Sequence, residues 1–180
     1  MCGISGQLYF DAEYQVNESS LRSMTDRIIS RGPDDEGFYI NKNVGFGFRR
    51  LSIIDLHTGH QPLCNEDQSV WIVFNGEIFN YLELRKELIS KGHVFKTKTD
   101  TETIVHLYEE YGRDCVKHLR GMFAFVIWDE HKRKLFCARD RFGIKPFYYH
   151  LSGERFVFGS EIKAVMGVGR IPDDLDYQAL

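Results

Sequence analysis

Residues 121–129 read GMFAFVIWD, and from Met122 to Trp128 every side chain is apolar. A strand with one wet face alternates apolar and polar residues, whereas a strand covered on both faces need not. The segment therefore predicts a strand with structure packed above and below it. Beyond it, the polar turn EHKR at 130–133 leads to KLFCARD at 134–140, and KPFYYHL at 145–151 is joined through Ser152-Gly153-Glu154 to RFVFGS at 155–160. Both pairs read as hairpins. Upstream, GISGQLYF at 3–10, GFYI at 37–40, VGFGFRRLSIID at 44–55 and VWIVFN at 70–75 read as further strands rich in aromatic and β-branched residues.

Helical periodicity is confined to a few segments. Leu21, Met24 and Ile28 share one face of a helix over 18–30, which RGPDDEG at 31–37 ends. Two more helices are predicted over 81–91 and 101–111, stopped by Gly92 and Gly112, and a short one over 161–168. These are too few to separate every strand from the next, as a parallel βαβ fold requires. The expected class is α+β, with two stacked, mainly antiparallel sheets and helices outside. Residues 1–165 read as one domain. Residues 166–180, which include IPDDLDYQAL without a closing strand or cap, read as the start of a linker to a further domain.

Composition narrows the partners. A chain of 180 residues suits a single core. The formal net charge is -3, with Lys and Arg scattered along the chain, which is no footprint for nucleic acid or an anionic membrane. There is no apolar run near the ~20 residues of a membrane helix, and the first residues lack the pattern of a signal peptide. A cytoplasmic protein with a small-molecule site is expected. Cys2, Cys64, Cys115 and Cys137 form no C-x-x-C pair and are expected as free thiols. His57 and His60 lack neighbours that complete a ligand set, so they read as loop histidines and no metal is expected.

The chain opens MCGISG. A lone cysteine is ordinarily a small core residue. At position 2 it becomes the terminal residue once Met1 is removed, and it then carries a thiol beside a free α-amine. Such an amine titrates near 7.7 to 8.0 and can take the thiol proton without a histidine. Gly3 lets a substrate approach the backbone.

MCGISG, RGPDDEG, RRLSIIDL, GHQPL, FNGEIFNY, TDTETI, RGMFAFVIWD, RDRFGIKPFYY and GSEIKA follow one another in this order. Together they resemble the glutaminase domain of glutamine-hydrolysing asparagine synthetases, class II glutamine amidotransferases of the N-terminal nucleophile type. The resemblance covers almost the whole chain and implies an αββα four-layer sandwich. It implies that Cys2 attacks the side-chain amide of L-glutamine, that Asn75 and Gly76 form the oxyanion hole, and that Arg50 grips the substrate α-carboxylate. Asp100, assisted by Glu77, would hold the α-ammonium. It further implies a C-terminal synthetase domain that takes the ammonia to amidate aspartate, with ATP and magnesium belonging to that domain. This chain contains neither a G-x-x-x-x-G-K-[ST] loop nor an SGG run, so no cofactor is expected in it. Acceptors from secondary metabolism or surface-polysaccharide synthesis, a non-catalytic docking module and a homodimer are compatible with the same residues.

Several of these residues carry a second reading. Asn75-Gly76 between apolar runs is also the signal of a two-residue hairpin turn. Thr99-Asp100-Thr101-Glu102 is also a helix capping box. Arg49 and Arg50 must face opposite ways on a strand, and Arg49 reads as the exposed one. Arg139, Asp140, Arg141 and Lys145 read either as a charged edge meeting a second domain or as a solvated loop.

Overall fold

A computed structural model of the protein describes residues 1–51, 59–169 and 171. In chain order the elements are β1 (Gly3–Tyr9), α1 (Glu18–Asp26), β2 (Asp35–Asn41), β3 (Val44–Arg50), β4 (Leu63–Cys64), β5 (Val70–Ile78), α2 (Tyr81–Ser90), α3 (Asp100–Tyr111), β6 (Gly121–Asp129), β7 (Lys134–Arg139), β8 (Tyr148–Leu151), β9 (Arg155–Gly159) and α4 (Ile162–Met166). They form a five-stranded sheet in the order β2-β3-β1-β9-β8 and a four-stranded sheet in the order β4-β5-β6-β7. Every pairing is antiparallel. Among the described residues, no helix is long and apolar enough to cross a membrane.

Strand β6 shows how the layers arise. Phe123, Phe125 and Ile127 pack with Ile104, Leu107 and Leu88 of the outer helices, while Ala124, Val126 and Trp128 pack with Ile4, Phe46 and Phe48 of the other sheet. Successive side chains point to opposite faces, so an unbroken apolar run needs two apolar partners. Burying each such Phe or Ile contributes about 1.5–3 kcal/mol. On the far side, Leu21 and Met24 of α1 pack against Val157 and Val165, with Val168 and Ile171 at the margin. The result is helix, sheet, sheet, helix, as the sequence predicts. The later part of the segment read as a linker, 172–180, lies outside the described residues.

Several boundaries differ from the sequence reading, and three of them bear on the layout. The first helix stops at Asp26, and a 3₁₀ turn, Ile29–Arg31, follows. Beyond the turn the chain lies flat on β3: a Cβ on Gly32 would lie 2.5 Å from the backbone of Arg49 and Arg50. Residues 145–147 precede β8 rather than belonging to it, because they finish the crossing from the second sheet to the first. The strand read over 44–55 ends at Arg50, and 52–55 lie outside the described residues. A second 3₁₀ segment, Gly112–Lys117, and the two-residue strand β4 carry no local periodicity and were not predicted.

Candidate active site

Strand parity builds the site. On β3, Val44, Phe46 and Phe48 face the space between the sheets, and Arg50 continues that row. Arg49 points the other way, onto α1, where it pairs with Asp26 and with Glu36 Oε2 at 2.9 Å. It is buried, which corrects the reading of Arg49 as exposed: the helix covering this face supplies its carboxylate. On β1, Gly3 pairs with Arg49 and Ile4 with Phe48, which sets Cys2 beside Arg50 at the end of the sandwich. On β5, Val73 faces the inter-sheet core, and Asn75 is two residues further along the same face.

These rows end at one cavity of about 370 Å³, lined by Cys2, Arg50, Asn75, Gly76, Glu77 and Asp100 among others. All six residues singled out from the sequence are therefore brought together. Cys2 is half-buried; its Sγ lies 3.5 Å from the Leu51 amide nitrogen, which can donate to it, and 3.7 Å from the Leu51 carbonyl oxygen. Arg31 Nε donates to the Cys2 carbonyl at 2.9 Å and holds this end of β1 in place. Met1 precedes Cys2 here, so the Cys2 nitrogen is an amide.

The hairpin reading of Asn75-Gly76 is overturned. β5 runs straight through both residues, which pair with Ala124 and Phe123 of β6. Gly76 is required by close approach, not by a turn: a Cβ there would lie 2.4 Å from the Met122 carbonyl oxygen. The Asn75 side chain is buried, and its Nδ2 has no hydrogen-bond partner among the described residues. A buried donor without an acceptor is costly and calls for an explanation. Here it borders the cavity that holds the Cys2 thiol.

Asp100 opens α3 and is buried, and its Oδ2 accepts the Ile78 N–H at 2.9 Å. Burial pushes its carboxyl above the ordinary aspartate value. Backbone N–H groups of Ile78 and of the helix start pull the other way, and the Glu77 charge adds to the rise. A carboxylate in this state gains from a cation in the cavity. Glu77 itself is exposed at the rim. The capping box does not form: Thr99 makes no side-chain cap, and Glu102 accepts from the Lys96 and Thr97 amides at 2.7 Å.

Sequence reasoning missed three contributors. Gln61, in GHQPL, accepts the Phe74 N–H at 2.6 Å and reaches Thr101 Oγ1 at 3.4 Å, which ties the strand of Asn75 to the helix of Asp100. Asp140 gathers the N–H groups of Phe123, Ile144 and Lys145 into a tight loop. That loop delivers Lys145, buried, to the cavity with its Nζ 3.4 Å from Met1 Sδ. Within the segment 139–145, Asp140 and Lys145 are buried, while Arg139 and Arg141 stay exposed. Asp140 followed by Gly143 at φ 63° is an Asx-type turn signal that could have indicated this. Of the two histidines weighed for metal, His60 pairs with Asp35 at 2.5 Å and His57 lies outside the described residues.

A larger groove of about 620 Å³ lies elsewhere; its described lining is mainly apolar and basic and holds no carboxylate, with Leu8, Phe147 and Phe156 among the residues. The convergence of a thiol, an amide donor unpartnered among the described residues, an arginine and a raised carboxyl singles out the smaller cavity.

Comparisons with known proteins place the chain in a family. The chain is 46% identical over its full length to asparagine synthetase [glutamine-hydrolyzing] 1 of Bacillus subtilis (strain 168), and spans 29% of that protein. It is 40% identical to amidase chry2 of Gibberella zeae, over 96% of this chain and 27% of that one. Among solved structures, the glutamine phosphoribosylpyrophosphate amidotransferase of B. subtilis superposes with a TM-score of 0.71, covering 93% of this chain and 44% of that one at 21% identity, a likeness of fold. A family model described as a glutamine amidotransferase domain matches residues 1–180, and the chain belongs to that family.

Proposed function

We propose that the domain hydrolyses L-glutamine to glutamate and ammonia through a thioester on Cys2, once Met1 has been removed. The observation that carries this reading is the buried Nδ2 of Asn75, without a partner among the described residues, at the cavity that holds the Cys2 thiol. In the proposed sequence the freed Cys2 amine takes the thiol proton, and the sulfur attacks the side-chain carbonyl carbon of glutamine. Asn75 Nδ2 and the Gly76 N–H donate to the oxyanion; such a donor is worth about 2.7–4 kcal/mol. The amine returns its proton to the departing ammonia, and water then cleaves the thioester to glutamate. Arg50 offers paired donors to the substrate α-carboxylate, and Asp100, with Glu77 at the rim, receives the α-ammonium.

In the longer protein, the proposed consumer of the ammonia is a synthetase domain beyond a linker that begins near residue 166. It amidates aspartate using ATP and magnesium held by that domain. Support comes from the names of the relatives and from the chain's 29% share of the first of them. A biosynthetic role of this kind fits a cytoplasmic setting. The test is glutamate release from glutamine by the purified chain, with intact mass reporting whether Met1 is gone. Glutamate from Met1-free protein supports the reading; none from Met1-free protein, alone or joined to its synthetase part, rejects it.

Substitution Asp100→Asn is expected to raise KM for glutamine about 10-fold or more while kcat falls less, because the ion pair acts in ground and transition states alike. The pH dependence has a definite sign. The Asp100 carboxyl is raised, so it takes up a proton at a higher pH than an ordinary aspartate does. The wild-type KM should therefore climb as pH falls through that range. In Asp100→Asn that limb disappears, and steady-state KM against pH measures it. An unchanged KM in the variant removes Asp100 from the substrate.

A further inference from the structure

We propose that Glu66, His93, His106 and Glu109 form a divalent-cation site of the zinc class, separate from the Cys2 cavity. None of the four lines that cavity. They come from three segments: Glu66 from the turn between β4 and β5, His93 from the link between α2 and α3, and His106 with Glu109 from one face of α3.

Their inner atoms converge. Glu109 Oε2 lies 2.7 Å from His106 Nδ1 and 3.6 Å from His93 Nδ1, and Glu66 Oε2 lies 3.9 Å from His106 Nδ1. Ligand atoms of Glu66, His93 and His106 all lie within 4.8 Å of one another. A tetrahedral zinc with bonds of about 2.0–2.1 Å spaces its ligands about 3.3 Å apart, so closure needs side-chain shifts of about an ångström. Two imidazole nitrogens with two carboxylate oxygens suit zinc rather than calcium or magnesium.

The outer atoms supply independent support. A metal ligand is normally oriented by a partner on its other polar atom. Glu66 Oε1 accepts the Val94 N–H at 3.0 Å, Glu109 Oε1 accepts Asn65 Nδ2 at 2.7 Å, and His93 Nε2 meets Glu110 Oε1 at 3.1 Å. The fourth outer atom, His106 Nε2, belongs to a fully buried ring and has no hydrogen-bond partner among the described residues; Glu102 Oε1 faces it at 3.9 Å. A metal on Nδ1 leaves the ring proton on Nε2, on the side where Glu102 Oε1 lies. Four carboxylates (Glu66, Glu102, Glu109 and Glu110) around two imidazoles also favour a cation electrostatically. Bound there, the metal pins the β4–β5 turn and the α2–α3 link to the helix whose first residue is Asp100.

The experiment dialyses the chain against buffered zinc and counts metal per protein by mass spectrometry, with cobalt(II) absorption reporting ligand type. Variants Glu66→Gln and His93→Ala are measured beside the wild type. Glu66 is exposed and its glutamine replacement still accepts the Val94 N–H, so this variant decides the matter even where His93→Ala fails to fold. Expected are one zinc per wild-type chain, a loss of about 100-fold or more in affinity in either variant, and a zinc-dependent rise in thermal midpoint in the wild type alone. The cobalt spectrum should show four-coordinate bands without thiolate charge transfer. Zinc far below one per chain, binding that both variants retain, or a thiolate spectrum overturns the site.

Discussion

Replacing Cys2 with alanine is expected to lower glutamate release by about 10⁴-fold or more. Among the described residues lining the cavity, Cys2 is the one thiol, and it can lie next to a free amine. Folding should survive. Cys2 lies at the margin of the inter-sheet core, and its polar contacts run to the Leu51 backbone. A thermal melt within a few degrees of the wild type, beside the lost activity, separates chemistry from unfolding. Measurable turnover in Cys2→Ala would remove the residue from the nucleophile role. The same logic applies to the chain that keeps Met1: its Cys2 nitrogen is an amide and no base, so a fully active Met1-bearing preparation would reject the amine as base.

For Asn75→Ala the expected loss is about 10²–10³ in kcat, with KM for glutamine moving by less than about 3-fold. The donor serves an oxyanion that exists only in the transition state, so ground-state binding does not register its removal. Stability should not follow activity down. Asn75 Nδ2 lacks a partner among the described residues, so its loss strands no acceptor and removes a buried donor that costs stability in the free protein. Activity down with the thermal midpoint unchanged or raised is the pattern of a group held for chemistry. A large fall in the midpoint with activity retained would make Asn75 a structural residue instead.

Much of this protein was legible before its structure. The glycines closing α2 and α3, the hairpin turn at 130–133 and the doubly apolar run of β6 are local signals, and they led to two stacked sheets with helices outside. The resemblance then pointed to Cys2, Arg50, Asn75, Gly76, Glu77 and Asp100, and the cavity holds all six. Two alternative readings fail because local preference meets a stronger tertiary demand. Asn75-Gly76 carries a turn signal, yet pairing with Phe123 and Ala124 keeps it extended. Thr99 to Glu102 has the composition of a capping box, yet Glu102 serves the amides of Lys96 and Thr97, which the preceding loop brings to it.

The sequence by itself determined the periodicities, the helix stops and the rule that Arg49 and Arg50 face opposite ways, since each depends on residues a few positions apart. Only the tertiary structure decided which arginine faces the cavity, because that rests on Gly3 meeting Arg49 across β1 and β3. It alone joined Gln61 to Phe74 and Thr101, brought Lys145 to the start of the chain, and set Glu66 beside His106. Such contacts depend on sheet register and on the packing of α3, and no window of sequence contains both partners.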